Sequence, residues 1–289
     1  MKSNITLLSM ISVLTLFSCV ETNSPTIAKE KAYVPFSTLM ITSKTIVQEV
    51  LIAAYQNPDL NDFNSIGAEN RTNCPSELDL NPNEFPKTMV YTYEEDCLTD
   101  AGTEMSGSIE VVITDRIGAP DMEIKLIPQE GFKVEGQTIS LNDADADFKA
   151  VFTGNEKALE NYNLIIKGLV SENRESGRFE LIEMENGEIS FEDVAENNDS
   201  EINTGPTKYF DDLAVIHFSN MQFSNNEREL LNANLQSDIK FDLLCNCPLA
   251  GKINIVKANS AEESQIVDYT ANATCVGEIL VDVEVVTCK

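Results

Sequence analysis

Apolar residues dominate the stretch from Ile5 to Phe17, and the pattern then changes three times along the 289-residue chain. That first run is shorter than the roughly 20 residues a membrane-spanning helix needs, so it reads as a signal segment rather than an anchor helix. From Val20 to about Pro35 the residues are polar, with two prolines, which predicts a flexible tether. Next, Ile46, Val47, Val50, Leu51 and Ala54 recur with the 3.6-residue period of an amphipathic helix. Thr42 or Ser43 is placed to cap its start, and Asn57-Pro58 to stop it. A stripe of this width is expected to pack on a sheet.

Beyond about residue 85 the period shortens to two. Ile109, Val111 and Ile113 alternate with Ser108, Glu110 and Val112, and shorter stretches around Ile124 and from Val134 to Leu141 behave similarly. Asn186-Gly187, flanked by Phe179–Glu185 and Glu188–Asp193, is the sequence expected for a two-residue hairpin turn. Its register would pair Met184 with Ile189 and Ile182 with Phe191 on one face. Asn197 to Pro206 predicts a loop or boundary. Strands are expected again at Leu213–Phe218, Ile239–Cys245, Lys252–Val256, Gln265–Tyr269 and Glu278–Val286, with a short helix over Asn225 to Ala233. The fold class expected is therefore mainly β, antiparallel sheets or a sandwich with one N-terminal helix packed on a sheet. The division expected is residues 1–18 signal, 19–35 tether, 36–200 helix plus β domain, and 201–289 disulfide-rich β region.

Leu16-Phe17-Ser18-Cys19 ends the apolar run, and a short hydrophobic stretch meeting a cysteine resembles a bacterial lipoprotein signal. That resemblance implies cleavage before Cys19, a diacylglycerol thioether on its sulfur and an acylated new N-terminus. Export would place the rest in an oxidising compartment. The six other cysteines are Cys74, Cys97, Cys245, Cys247, Cys275 and Cys288. Their even number predicts three disulfides. Grouping along the chain favours Cys74 with Cys97 and two bridges among the last four, whose connectivity stays open. Paired Cys-x-x-Cys knuckles, the usual mark of a structural zinc site, do not occur.

Charge narrows the partners. There are 20 basic residues against 48 acidic, a net charge of −28, and loss of Lys2 with the signal makes it more negative. Such a surface repels nucleic-acid phosphates and anionic headgroups, so no nucleic-acid partner is expected and membrane contact falls to the N-terminal lipid. The protein or glycan partner is not read from the sequence.

Two segments echo each other. Met89-Val90-Tyr91-Thr92-Tyr93 precedes Cys97 and then Gly107-Ser108-Ile109, while Ile266-Val267-Asp268-Tyr269-Thr270 precedes Cys275 and then Gly277-Glu278-Ile279. The first segment, from Pro86-Lys87-Thr88 through Asp96-Cys97 and Gly102 to Ser106-Gly107-Ser108-Ile109-Glu110-Val111-Val112-Ile113, resembles a repeated feature of β-rich secreted lipoproteins of Bacteroidetes. Cys247-Pro248-Leu249-Ala250-Gly251-Lys252-Ile253 and Cys275 fit the order of their C-terminal part. The resemblance covers about 120 residues. It implies location and β architecture, and carries over no activity and no functional residues. The absence of tryptophan and the acidic stretch Glu172 to Glu201 depart from that group.

Catalytic patterns are sparse. His217 is the single histidine, in the strand-like Val215-Ile216-His217-Phe218, so neither a catalytic triad nor a histidine-rich zinc site is expected. Gly131 and Gly136 have phosphate-loop spacing, but Gln137 stands where that loop needs lysine. Asp143, Asp145 and Asp147 start like a calcium loop, yet Phe148 replaces its glycine and Gly154 its closing glutamate, so a solvated acidic turn is expected. Carboxylate pairs suited to glycoside hydrolysis are unavoidable at this acidity and carry no weight. We therefore expect no enzyme and no cofactor. The reading expected is a lipid-anchored protein at the outer membrane with an interaction, structural or adhesion role; the alternative is a ligand-, glycan- or calcium-binding subunit of an outer-membrane uptake system.

Overall fold

A computed structural model describes residues 33–57, 59–60, 74–80, 84–99, 103–117, 119–153, 162–173, 180–193, 213–218, 221–224, 228–242, 248–258, 260–269, 278–281 and 284–287. Ala32–Lys289 forms one compact unit. Its helix, α1 (Tyr33–Gln56), ends where Asn57-Pro58 predicts. It starts earlier than its apolar stripe, and this corrects the tether, which was expected to run to residue 35. Pro35 falls in the first helical turn, where its missing N–H has no partner to lose. Ser43 is consequently mid-helix, and its hydroxyl donates to the Leu39 carbonyl at 2.7 Å instead of capping.

The strands form an antiparallel meander. β1 (Ser76–Asp79) pairs with β2 (Lys87–Leu98), β2 with β3 (Glu104–Ile113), and β3 with β4 (Glu123–Pro128) and β5 (Lys133–Val134). β6 (Gln137–Leu141) and β7 (Asp147–Phe152) return along β5 and β4, and β8 (Tyr162–Lys167) and β9 (Leu169–Asn173) along β7 and β6. β8 and β9 share one edge of β10 (Glu180–Asp193); β11 (Leu213–Phe218) and β12 (Met221–Ser224) share the other. β13 (Leu230–Asp242), β14 (Ala250–Lys257), β15 (Ser260–Asp268), β16 (Glu278–Val281) and β17 (Glu284–Thr287) continue the order. Among the described residues the fold is thus mainly β, with one continuous sheet and one helix. Hydrogen bonds between β10 and β11 join the two regions expected on either side of residue 200.

Strand alternation puts one sheet face inside. Tyr91, Ile109, Leu126, Phe148, Leu164, Ile189, Phe223, Ile253 and Val267 all belong to one buried core with α1. Every residue from Ile46 to Ala54 is buried, so α1 is covered on all its sides and not on a single stripe. It lies against β10 and is also bonded to β1 and to Thr99 just beyond β2. Because β3 to β9 separate those contacts in the sheet, the sheet must curl around the helix. Glycines permit part of that curl. Gly107 in β3 has φ +85°, and an added Cβ would lie 2.8 Å from the Gly131 carbonyl oxygen; Gly251 in β14 has φ +120° and similarly abuts Asp238.

Three sequence expectations are overturned. Asn186-Gly187 makes no hairpin, because β10 runs straight through it with partners on both edges. Met184 and Ile189 are nevertheless both buried. They are five residues apart, and the register shift between Met184 and Asn186 inserts the extra residue that returns both to one face. The helix expected over Asn225 to Ala233 is replaced from Leu230 onward by β13, whose Leu231 and Ala233 alternate inward. The single strand expected over Glu278–Val286 is an antiparallel pair, with Ile279 opposite Val286.

Candidate functional site

The sheet's curl brings polar groups together at one end of the interior, between the second half of α1 and β1–β2. Glu49 projects from α1 and is only 4% exposed. Its carboxylate accepts a hydrogen bond from the Thr99 hydroxyl at 2.7 Å, and the Thr99 oxygen in turn accepts from the Thr103 backbone N–H at 3.0 Å. Nearer the helix end, the Asn57 amide donates to Glu77 of β1 at 3.0 Å. Glu77 faces Tyr91 across the β1–β2 pair, and Tyr93 follows two residues further on the same inward face of β2. Tyr93 therefore sits between the levels of Glu77 and Thr99.

Tyr93 is 2% exposed, and its hydroxyl has no hydrogen-bond partner among the described residues. Burial, then the negative charges of Glu49 and Glu77, push its pKa far above the usual phenol value, so it stays protonated. Its ring lies 6.1 Å from Phe132. Gly107 faces Tyr93 across β2–β3, and its bare Cα lets the Gly131–Phe132 backbone approach closely enough for this contact. Beside the cluster, buried Lys87 pairs with Asp79 at 3.0 Å, with the Phe85 ring 5.9 Å from its ammonium.

The disulfide expected between Cys74 and Cys97 is present, its Cα atoms 6.1 Å apart, and it ties the segment entering β1 to the far end of β2. Cys19, Cys245, Cys247, Cys275 and Cys288 lie outside the described residues. His217 projects outward from β11, with Nδ1 3.4 Å from Asp238. The three aspartates do not converge: Asp143 accepts from the Asp145 backbone N–H at 2.8 Å in an exposed turn, while Asp147 lies 4.0 Å from Lys125. Among the described residues no three His, Cys, Asp or Glu side chains gather as a metal site.

Sequence reading missed the Glu49–Thr99–Tyr93–Glu77 cluster, since its members come from three separate segments. One signal was present. Lys44, Gln48 and Glu49 sit among apolar neighbours of a helix that the sheet encloses, and buried polar groups there must find partners across the core. The fold defines a class, an antiparallel meander curled around a helix. No protein-family model, curated protein or solved structure matches this chain.

Proposed function

We propose that the chain is a lipid-anchored extracytoplasmic protein, akin to the β-rich secreted lipoproteins of Bacteroidetes, with a non-enzymatic interaction, structural or adhesion role at the outer membrane. The observation that supports this most is the enclosure of α1. The inward face of the sheet is occupied by the protein's own helix, so partners meet the outward face and the connections between strands. The Cys74–Cys97 disulfide agrees with an oxidising compartment, and Cys19 supplies the lipid in this reading. Protease added to intact and to lysed cells tests it. Digestion on intact cells supports display on the outer face. Recovery of the chain unprocessed and soluble in the cytoplasm, with Cys74 and Cys97 as free thiols, sinks the proposal.

A further inference from the structure

The first strand of the sheet is inside out. Beside it, β2 turns Met89, Tyr91 and Tyr93 inward. In β1 the order is reversed: Glu77 and Asp79 lie opposite Tyr91 and Met89 on the inward face, and Leu78 points out with 58% of its surface exposed. Leu80, just beyond the strand, is 54% exposed, and its backbone N–H donates to the Thr88 carbonyl at 2.9 Å. Moving β1 by one residue would turn both leucines inward. Two bonds hold it as it is: the Asn57 amide at the end of α1 donates to Glu77 at 3.0 Å, and Lys87 pairs with Asp79 at 3.0 Å. The register thus keeps two leucines in water, and a partner that covers them recovers the lost burial.

We propose that the outward corner of β1–β3 is a docking surface for a protein segment presenting apolar side chains together with lysine or arginine. Across the sheet Leu78 faces Val90, and Val90 faces Glu110; Leu80 neighbours Thr88, and Thr88 faces Val112. These two rows set four apolar side chains around Thr88 and Glu110. Charge selects the partner. Outward on β2 and β3 stand Glu94, Glu104 and Glu110, and Lys87, the one cation in the sequence of β1–β3, is buried inside against Asp79. An acidic corner on a chain of net charge −28 repels a second copy of itself and attracts a partner that carries cations. The proposal rests on the interaction role above, but binding by purified protein is blind to export and lipidation, so the two can fail separately.

Full-length protein titrated into a short fluorescent peptide alternating valine and lysine should give a saturable rise in anisotropy. Peptides alternating valine with glutamate, or serine with lysine, should bind about tenfold more weakly or worse. Leu78→Ser combined with Leu80→Ser should weaken the valine–lysine peptide by about tenfold or more with Tm little changed, because neither leucine is buried. Glu110→Lys should weaken it too, whereas Glu188→Lys, at an exposed position on β10, should not. Absent saturable binding, binding unchanged in the double leucine variant, or equal losses in Glu110→Lys and Glu188→Lys each overturns the proposal; the last two leave only general attraction to an acidic surface. Dimerisation in sedimentation that the leucine substitutions abolish would overturn it in favour of a second copy. Attachment to phosphatidylcholine vesicles that they abolish would overturn it in favour of lipid.

Discussion

Replacing Gly107 with alanine tests how β3 accommodates the sheet's curl. Gly107 and Gly131 have nearly the same backbone, φ +85° and +82°, so alanine at either incurs the left-handed penalty of about 1 kcal/mol. They differ in space. A Cβ at Gly131 meets nothing within 4 Å, whereas one at Gly107 lies 2.8 Å from the Gly131 oxygen and 2.9 Å from the Phe132 Cα. Those are backbone atoms and cannot swing aside, so the bend between β4 and β5 must shift, at an overpacking cost of about 1–3 kcal/mol. Gly107→Ala should lose about 2–4 kcal/mol in total, and Gly131→Ala about 1 kcal/mol or less, because the stiffer unfolded chain offsets part of it. At about 2–4 °C per kcal/mol for a chain of this size, Tm should separate the two clearly, with urea unfolding giving the free energies. Equal losses in the two variants would refute the steric reasoning. A disturbed Tyr93–Phe132 contact in Gly107→Ala alone, read from near-ultraviolet circular dichroism, would support it.

Other perturbations probe the rest of the interior. Cys97→Ser should destabilise by about 3 kcal/mol on the chain-entropy account of a 23-residue separation, checked by unfolding with and without reductant; the unsubstituted chain should lose a similar amount when reduced. Thr99→Val deprives buried Glu49 of its 2.7 Å donor and should cost about 1.5–3 kcal/mol, measured by urea titration. Glu185 carries a raised pKa, from burial first and Glu183 second, against a lowering bond from Ser224. A carboxyl raised in the folded state holds its proton there longer than in the unfolded chain, so its contribution to stability falls as pH rises through that window. Glu185→Gln should therefore stabilise more at pH about 7 than at pH about 4, and a Tm difference independent of pH would contradict this.

Much of the sheet was legible because alternation is a local signal. Leu213–Phe218 agrees with β11 at both ends, and Ile109, Val111 and Ile113 point inward as their spacing requires. What failed depended on distant chain. Asn186-Gly187 has the composition of a turn, but the fourteen-residue strand β10 has partner strands along both edges, and those bonds outweigh a local preference. The glycine serves packing instead: a Cβ at Gly187 would press on Met184 and Met221, both at 3.2 Å. Helix α1 was recognisable by its stripe but not by its enclosure, because the polar residues that mark its other faces usually signal solvent. Among the cysteines, Cys74 and Cys97 were close enough in sequence to suggest each other, and Glu49 and Tyr93 were not.

The outward face of the sheet determines how this protein can meet a membrane. Opposite the buried residues stand Thr92 with Ser108 at 3.0 Å, Ser190 with Asn163 at 2.6 Å, Gln222 with Asn232 at 3.0 Å, and Lys252 with Asp268 at 2.7 Å. A transmembrane barrel needs the reverse order, an apolar band outward and polar groups inward. Burying these side chains in hydrocarbon would cost several kcal/mol for each ionic group even when paired, so strand insertion loses to hydration. Under the proposed function, membrane attachment then rests on an N-terminal lipid on Cys19, and it should be separable from the fold. In detergent phase partitioning the native chain should enter the detergent phase, while full-length Cys19→Ala and the fragment 32–289 should remain in water. If the fragment still partitions into detergent, the described strands contact lipid directly, and the inward-apolar, outward-polar assignment of this sheet is wrong.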